Sequence, residues 1–138
     1  MRLRKLSKSL DVLILSYIDY PGYTGMSKRI RGIVEVLKKR NISVLVLCPL
    51  FWYPQALSPM EGVNYIDLRF LRRFGFENRF TRLMATMLFS FIAFLRIVKN
   101  KPKIVQYQTI YSIVPAVLAK LLLNSKVVGD DITWDCFY

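Results

Sequence analysis

Residues 11–40 read DVLILSYIDYPGYTGMSKRIRGIVEVLKKR: an apolar run, a glycine-containing loop and a helical pattern in direct succession. The run DVLILSY is continuous rather than alternating, as required of a strand covered on both faces by crossover helices. In the segment after the loop, Ile30, Ile33, Val34 and Leu37 recur at i, i+3, i+4 and i+7, while Lys28, Arg31, Glu35, Lys38 and Lys39 take the opposite side. This spacing predicts an amphipathic helix with one stripe on a sheet. Ser27 is the expected N-cap, since its hydroxyl oxygen can accept from a first-turn amide, which puts the helix start near Ser27. Pro21, Gly22 and Gly25 between them make a turn, and glycine lets backbone approach a ligand without a Cβ in the way. Gly22, Gly25, Ser27 and Lys28 are therefore a candidate phosphate or diphosphate site, where free amides meet the positive end of the helix dipole. The same residues also suit a plain strand-to-helix connection.

The 138 residues fit a single domain, 1–138, opening on a basic extension over 1–10. Apolar content of 54% and charged content of 22% describe a chain that folds. With 21 Lys and Arg against 9 Asp and Glu, the net charge of +12 favours an anionic partner. Histidine does not occur, which removes Ser-His-Asp and Cys-His nucleophile arrangements and His-containing zinc sites. Cys48 and Cys136 lie far apart and give neither metal spacing nor a disulfide framework. No cofactor and no metal are expected, and the setting is cytoplasmic. The basic start MRLRKLSKSL leads into a run that begins with Asp11 and reaches Asp19 and Pro21 without a small-residue cleavage pattern, so it reads as a strand and not as a signal peptide.

Further along, Asn41 can end the helix and ISVLVLC, 42–48, reads as a second buried strand. PLFWYPQALSPMEG follows, its three prolines excluding a regular helix. Phe51, Trp52 and Tyr53 stand just past a strand end, where they could line an acceptor site, meet a membrane surface or cover the core. VNYIDL alternates as a short half-exposed strand. Next, RFLRRFGFENRFTR carries five arginines, Arg69, Arg72, Arg73, Arg79 and Arg82, among four phenylalanines and one glutamate. Arginine among aromatics suits anionic lipid or single-stranded nucleic acid, and it also suits a solvated cationic face. The 13 uncharged residues Leu83 to Leu95 are too few to cross a bilayer, which takes about 20, so a buried or interfacial helix is expected. Its basic flanks would favour acidic lipid, making the chain peripheral on the inner membrane face. Pro102 ends that helix. KIVQYQ then gives a strand, TIYSIVPAVLAKLLLN a helix capped by Ser112 or Thr109, and KVVGD a fifth strand.

Strands alternating with helices imply a doubly wound, Rossmann-like, mostly parallel sheet in three α/β/α layers, with its ligand edge at the strand carboxyl ends. The Gly22 to Gly25 loop, Phe51 to Tyr53, Gln108, Asp130 and Asp131 all fall on that edge. In this order and spacing, the first strand leading to TGMSKR, the pair ISVLVLC and GVNYIDL, the segment KIVQYQTIYSIVPAVLAKLL and the ending KVVGDDITWD resemble the N-terminal domain of a GT-B glycosyltransferase of the retaining, group 1 or family 4-like kind. Thr24 stands where that family commonly has its first glycine, and Asp130 where many members have histidine. The resemblance implies an acceptor-binding half that closes over a nucleotide-sugar held by a C-terminal domain or separate subunit, inactive alone. It also implies that Gly25 and the helix start approach the donor diphosphate. Asp131 would act catalytically at the reacting sugar, and Phe51, Trp52, Tyr53, Gln108 and Asp130 would face the acceptor. The alternative is a small basic module for nucleic acid or an anionic membrane, nucleic acid being the less expected partner. A dinucleotide-binding oxidoreductase is disfavoured because the GxGxxG spacing is missing.

Overall fold

The computed structural model describes residues 10–16, 25–50, 62–75 and 78–130. Five strands, β1 (Val12–Leu15), β2 (Val44–Leu50), β3 (Val63–Asp67), β4 (Ile104–Tyr107) and β5 (Lys126–Gly129), form one sheet in the order β3-β2-β1-β4-β5. Every pairing is parallel, so the doubly wound reading holds and the sheet is parallel throughout. The helices are α1 (Gly25–Lys39), α2 (Arg79–Asn100) and α3 (Ile113–Leu123), with short 3-10 helices at Arg69–Phe74 and Ile110–Ser112.

The pleat sorts β1 onto two cores, because successive side chains point to opposite faces. Val12 and Ile14 pack with Ile30, Val46 and Cys48 beneath α1, joined by Ile33, Val34 and Leu37 of the expected stripe. Leu13 and Leu15 pack with Leu47, Val105, Phe89 of α2 and Ala116 of α3 on the other side. All four β1 residues are buried, which is why that run shows no alternation.

Several boundaries differ from the sequence reading. Helix α1 begins at Gly25, so Ser27 is its third residue and is buried, not a cap at the boundary. Its far end is as expected: Asn41 takes a left-handed φ of 59° and its amide donates to the Lys38 carbonyl at 2.9 Å. Strand β2 continues through Pro49 to Leu50, beyond the expected end at Cys48. Pairing with β3 continues to Leu50, whereas the register with β1 stops at Leu47. Ser16 donates to the Leu47 carbonyl on the β1 side and Leu68 to the Leu50 carbonyl on the β3 side, so alternation turns Pro49's nitrogen toward the side where β1 has ended.

Helix α2 has 22 residues, not the uncharged 13 alone. The Asn78 side chain caps it by accepting from the Phe80 amide at 3.0 Å, and it runs through Arg96 to Asn100 before Lys101 turns left-handed. By length and composition it could cross a membrane, a correction to the expected shortfall. Its stripe Thr81, Ala85, Phe89, Ala93 and Ile97 is nevertheless buried, Thr81 apart in the core shared with the sheet. Helix α3 follows Ser112, whose hydroxyl makes no capping bond, and Pro115 sits in the first turn where its missing N–H is harmless.

At the amino edge, Asp11 ties three strands together. Its carboxylate accepts from Lys103 Nζ at 2.7 Å, Ser43 Oγ at 2.8 Å and the Ser43 amide at 3.0 Å. The Lys103 bond first, then the Ser43 bonds, hold this carboxyl well below its ordinary value of 3.8. A lowered native value means that the stabilisation is complete above the ordinary value and is lost as pH falls from there through the native one. Thermal melts of the native chain and Asp11→Asn are therefore expected to differ most at neutral pH, the native chain higher. The gap should narrow steadily as pH drops below 4. A gap that is constant from pH 7 to pH 2 would show that the carboxylate plays no part.

Candidate functional site at the carboxyl edge

Strand order reverses between β1 and β4: the chain leaves β1 toward β2 and β3, then crosses back to β4 and β5. Crossovers on opposite faces leave a crevice at the carboxyl ends of these two strands, the place where doubly wound sheets bind ligands. Ser16 and Gln108 extend β1 and β4 there. The Gln108 amide donates to the Leu15 carbonyl at 3.3 Å, continuing the ladder by one residue.

The Gln108 side chain is 0% exposed, and neither Nε2 nor Oε1 has a hydrogen-bond partner among the described residues. Burying an amide without partners is costly, and native folds rarely do it without a reason at the site. The period of the strand assigns Gln108 to the face of Ile104, the face that α1 covers. Around it the backbone is well tied. Ser112 Oγ donates to the Thr109 carbonyl at 2.9 Å and lies 3.4 Å from the Leu15 carbonyl, fastening the turn after β4 to the end of β1. Ser16, Ser27, Thr109 and Ser112 are all buried.

Helix α1 brings its amino end to the same edge, opening on Gly25. The helix dipole gives this end a positive potential, and Lys28 is exposed beside it. One residue on, Arg29 pairs with Asp130 at 3.0 Å, bridging the first turns of α1 to the residue after β5. The Asp130 side chain is 17% exposed and that of Arg29 57%, so only the carboxylate end of the pair is screened from water. The Asp130 amide donates to the Tyr107 carbonyl at 2.8 Å, which fixes the carboxylate against β4.

The edge thus gathers Gly25, Ser27, Lys28, Gln108 and Asp130 of the expected site residues. Gly22, Phe51, Trp52, Tyr53 and Asp131 lie outside the described residues. The arginines form a separate group. Arg69 donates through Nε and a terminal nitrogen to both carboxylate oxygens of Asp67 at 2.9 and 2.7 Å, while Arg72, Arg73, Arg79 and Arg82 stand exposed around the Arg69–Phe74 helix and the start of α2. Sequence reasoning missed Arg29, Thr109 and Ser112. Nothing in the linear order pairs Arg29 with Asp130, and the polar turn after β4 carried only the signal of a cap.

The polar groups gathered at this edge are a buried amide able both to donate and accept, a helix amino end with an exposed lysine suited to an anion, and a carboxylate already held by an arginine. No family model matches the chain, and no curated protein matches it.

Proposed function

We propose that this chain is the acceptor-binding half of a glycosyltransferase, working with a nucleotide-sugar-binding domain or subunit that supplies the other wall of the active site. The observation that carries the reading is the fully buried amide of Gln108, unpartnered among the described residues, at the switch point between β1 and β4. A carboxamide fits the paired donor and acceptor of a sugar hydroxyl, and its hydrogen bonds are strongest where water is excluded. The amino end of α1, with Gly25 and Lys28, suits the donor's diphosphate. Asp130, at the end of β5 and paired with Arg29, suits the acceptor, and Asp131, which lies outside the described residues, suits the reacting sugar. The resemblance of the strand and helix order to the GT-B amino-terminal domain supports the same assignment.

The test is reconstitution. The chain is purified from its native cells under mild conditions, any co-purifying protein is assayed for nucleotide-sugar binding, and sugar transfer is measured with and without it. The expected outcome is no transfer by the 138 residues alone and transfer when the partner is restored. Turnover by the isolated chain, or a partner that binds no nucleotide-sugar, would overturn the reading.

A further inference from the structure

Helix α2 is apolar on both sides. Opposite its buried stripe, Phe80, Leu83, Met87, Phe91, Leu95 and Val98 are exposed, following one another every three or four residues. At about 1.5 Å per residue the stripe is about 27 Å long. Helix α3 packs beside α2 and extends the surface with exposed Val114, Val117 and Leu121. A helix that is apolar all round while facing outward on one side needs a cover.

The charge around this surface says which cover. From Leu68 to Gly129 the sequence holds one acidic residue, Glu77, against eleven Lys and Arg. Arg79 and Arg82 stand exposed at one end of the stripe, Arg96 and Lys99 at the other, and Lys120 on α3. Two copies of this face would set like charges together, and a nucleic-acid backbone would find no cation along the uncharged middle. An anionic bilayer satisfies both features, taking the apolar stripe into its interface and setting phosphates against the basic ends. At the amino end of α2 a cavity of about 360 Å³, lined mostly by apolar side chains, opens between Phe70, Phe74, Phe80, Met84 and Leu88. Arg73 and Arg79 stand exposed close to it in sequence.

We propose that the outer face of α2 and α3 docks on an anionic membrane and that this cavity takes one hydrocarbon chain of a bound anionic lipid, whose phosphate meets Arg73 and Arg79. The inference rests on the surface alone and stands or falls independently of the glycosyltransferase reading.

The full chain is co-sedimented with vesicles of phosphatidylcholine alone and of equal parts phosphatidylcholine and phosphatidylglycerol. Binding is expected to be at least about tenfold tighter to the anionic vesicles, to weaken about tenfold in Arg73→Ala/Arg79→Ala and to be lost in Phe91→Glu. Phe91 is exposed, so an unchanged unfolding transition separates lost docking from lost folding. Monomeric lysophosphatidylglycerol probes the cavity: Met84→Trp should weaken its saturable binding about tenfold, while Leu95→Trp, on the stripe but away from the cavity, should leave it intact. Equal binding to both vesicle types, unimpaired binding by Phe91→Glu, or self-association or oligonucleotide binding in place of vesicle binding would overturn the docking. Lysolipid binding indifferent to Met84→Trp would overturn the chain site.

Discussion

Gln108→Met is expected to make the protein more stable and less able to bind. The native side chain buries an amide with neither atom partnered among the described residues, and the desolvation of such a group costs about 1–3 kcal/mol. Methionine has nearly the same volume and no hydrogen-bonding requirement, so the substitution should raise the unfolding free energy by about 1–2 kcal/mol and the melting temperature by several degrees. In the reconstituted complex the same substitution should depress acceptor binding, because a hydroxyl that used both amide functions loses them together. Denaturant unfolding and transfer kinetics on one protein preparation decide it. A loss of stability in Gln108→Met would mean that the amide is satisfied within the fold and that the crevice has no polar anchor. A gain in stability with undiminished transfer would remove Gln108 from the acceptor site while leaving the buried amide unexplained.

Phe89→Ala is expected to have the largest effect on folding, costing about 3–5 kcal/mol. Phe89 is 0% exposed and is among the largest fully buried side chains, set between α2, the sheet and α3, where α2 turns its small residues Ala85 and Ala93 inward on either side. Those alanines allow close approach to the sheet and make the phenylalanine the main filler of the gap, so little can collapse into the space it leaves. A domain of this size commonly has about 5–15 kcal/mol in total, which makes the loss a large fraction of the whole. Two residues away Phe91 is 61% exposed, and Phe91→Ala should shift stability by no more than about 0.5 kcal/mol. The pair separates the two faces of one helix: if both substitutions destabilise alike, the outward face is covered in the folded protein by something other than solvent or lipid.

The two sides of the sheet also differ in how they depend on solution conditions. The amino edge is held by Asp11, Lys103 and Ser43, a charge-assisted cluster that weakens in acid. The carboxyl edge is held by the Ser112 hydroxyl and the Arg29–Asp130 pair, set around a buried amide.

Local chemistry in the sequence was enough for the architecture. Continuous apolar runs at 12–15 and 44–47 require cover on both faces, which a parallel sheet with crossover helices provides, and the stripe Ile30, Ile33, Val34 and Leu37 names the inner face of α1 without ambiguity. Asn41, Pro102 and Pro115 mark helix ends and beginnings because their backbone preferences act within a few residues. The placing of Gly25, Gln108 and Asp130 on one edge follows from strand direction alone. What only the tertiary structure decided depends on partners distant in the chain. Helix α2 is apolar nearly all round, so periodicity cannot say which side faces in, and the sheet chose the side of Phe89. The extension of β2 through Pro49 depends on where β1 stops pairing. The Arg29–Asp130 bridge joins residues 101 positions apart. That the Gln108 amide has no partner among the described residues depends on what packs around it, which no local pattern in the chain could show.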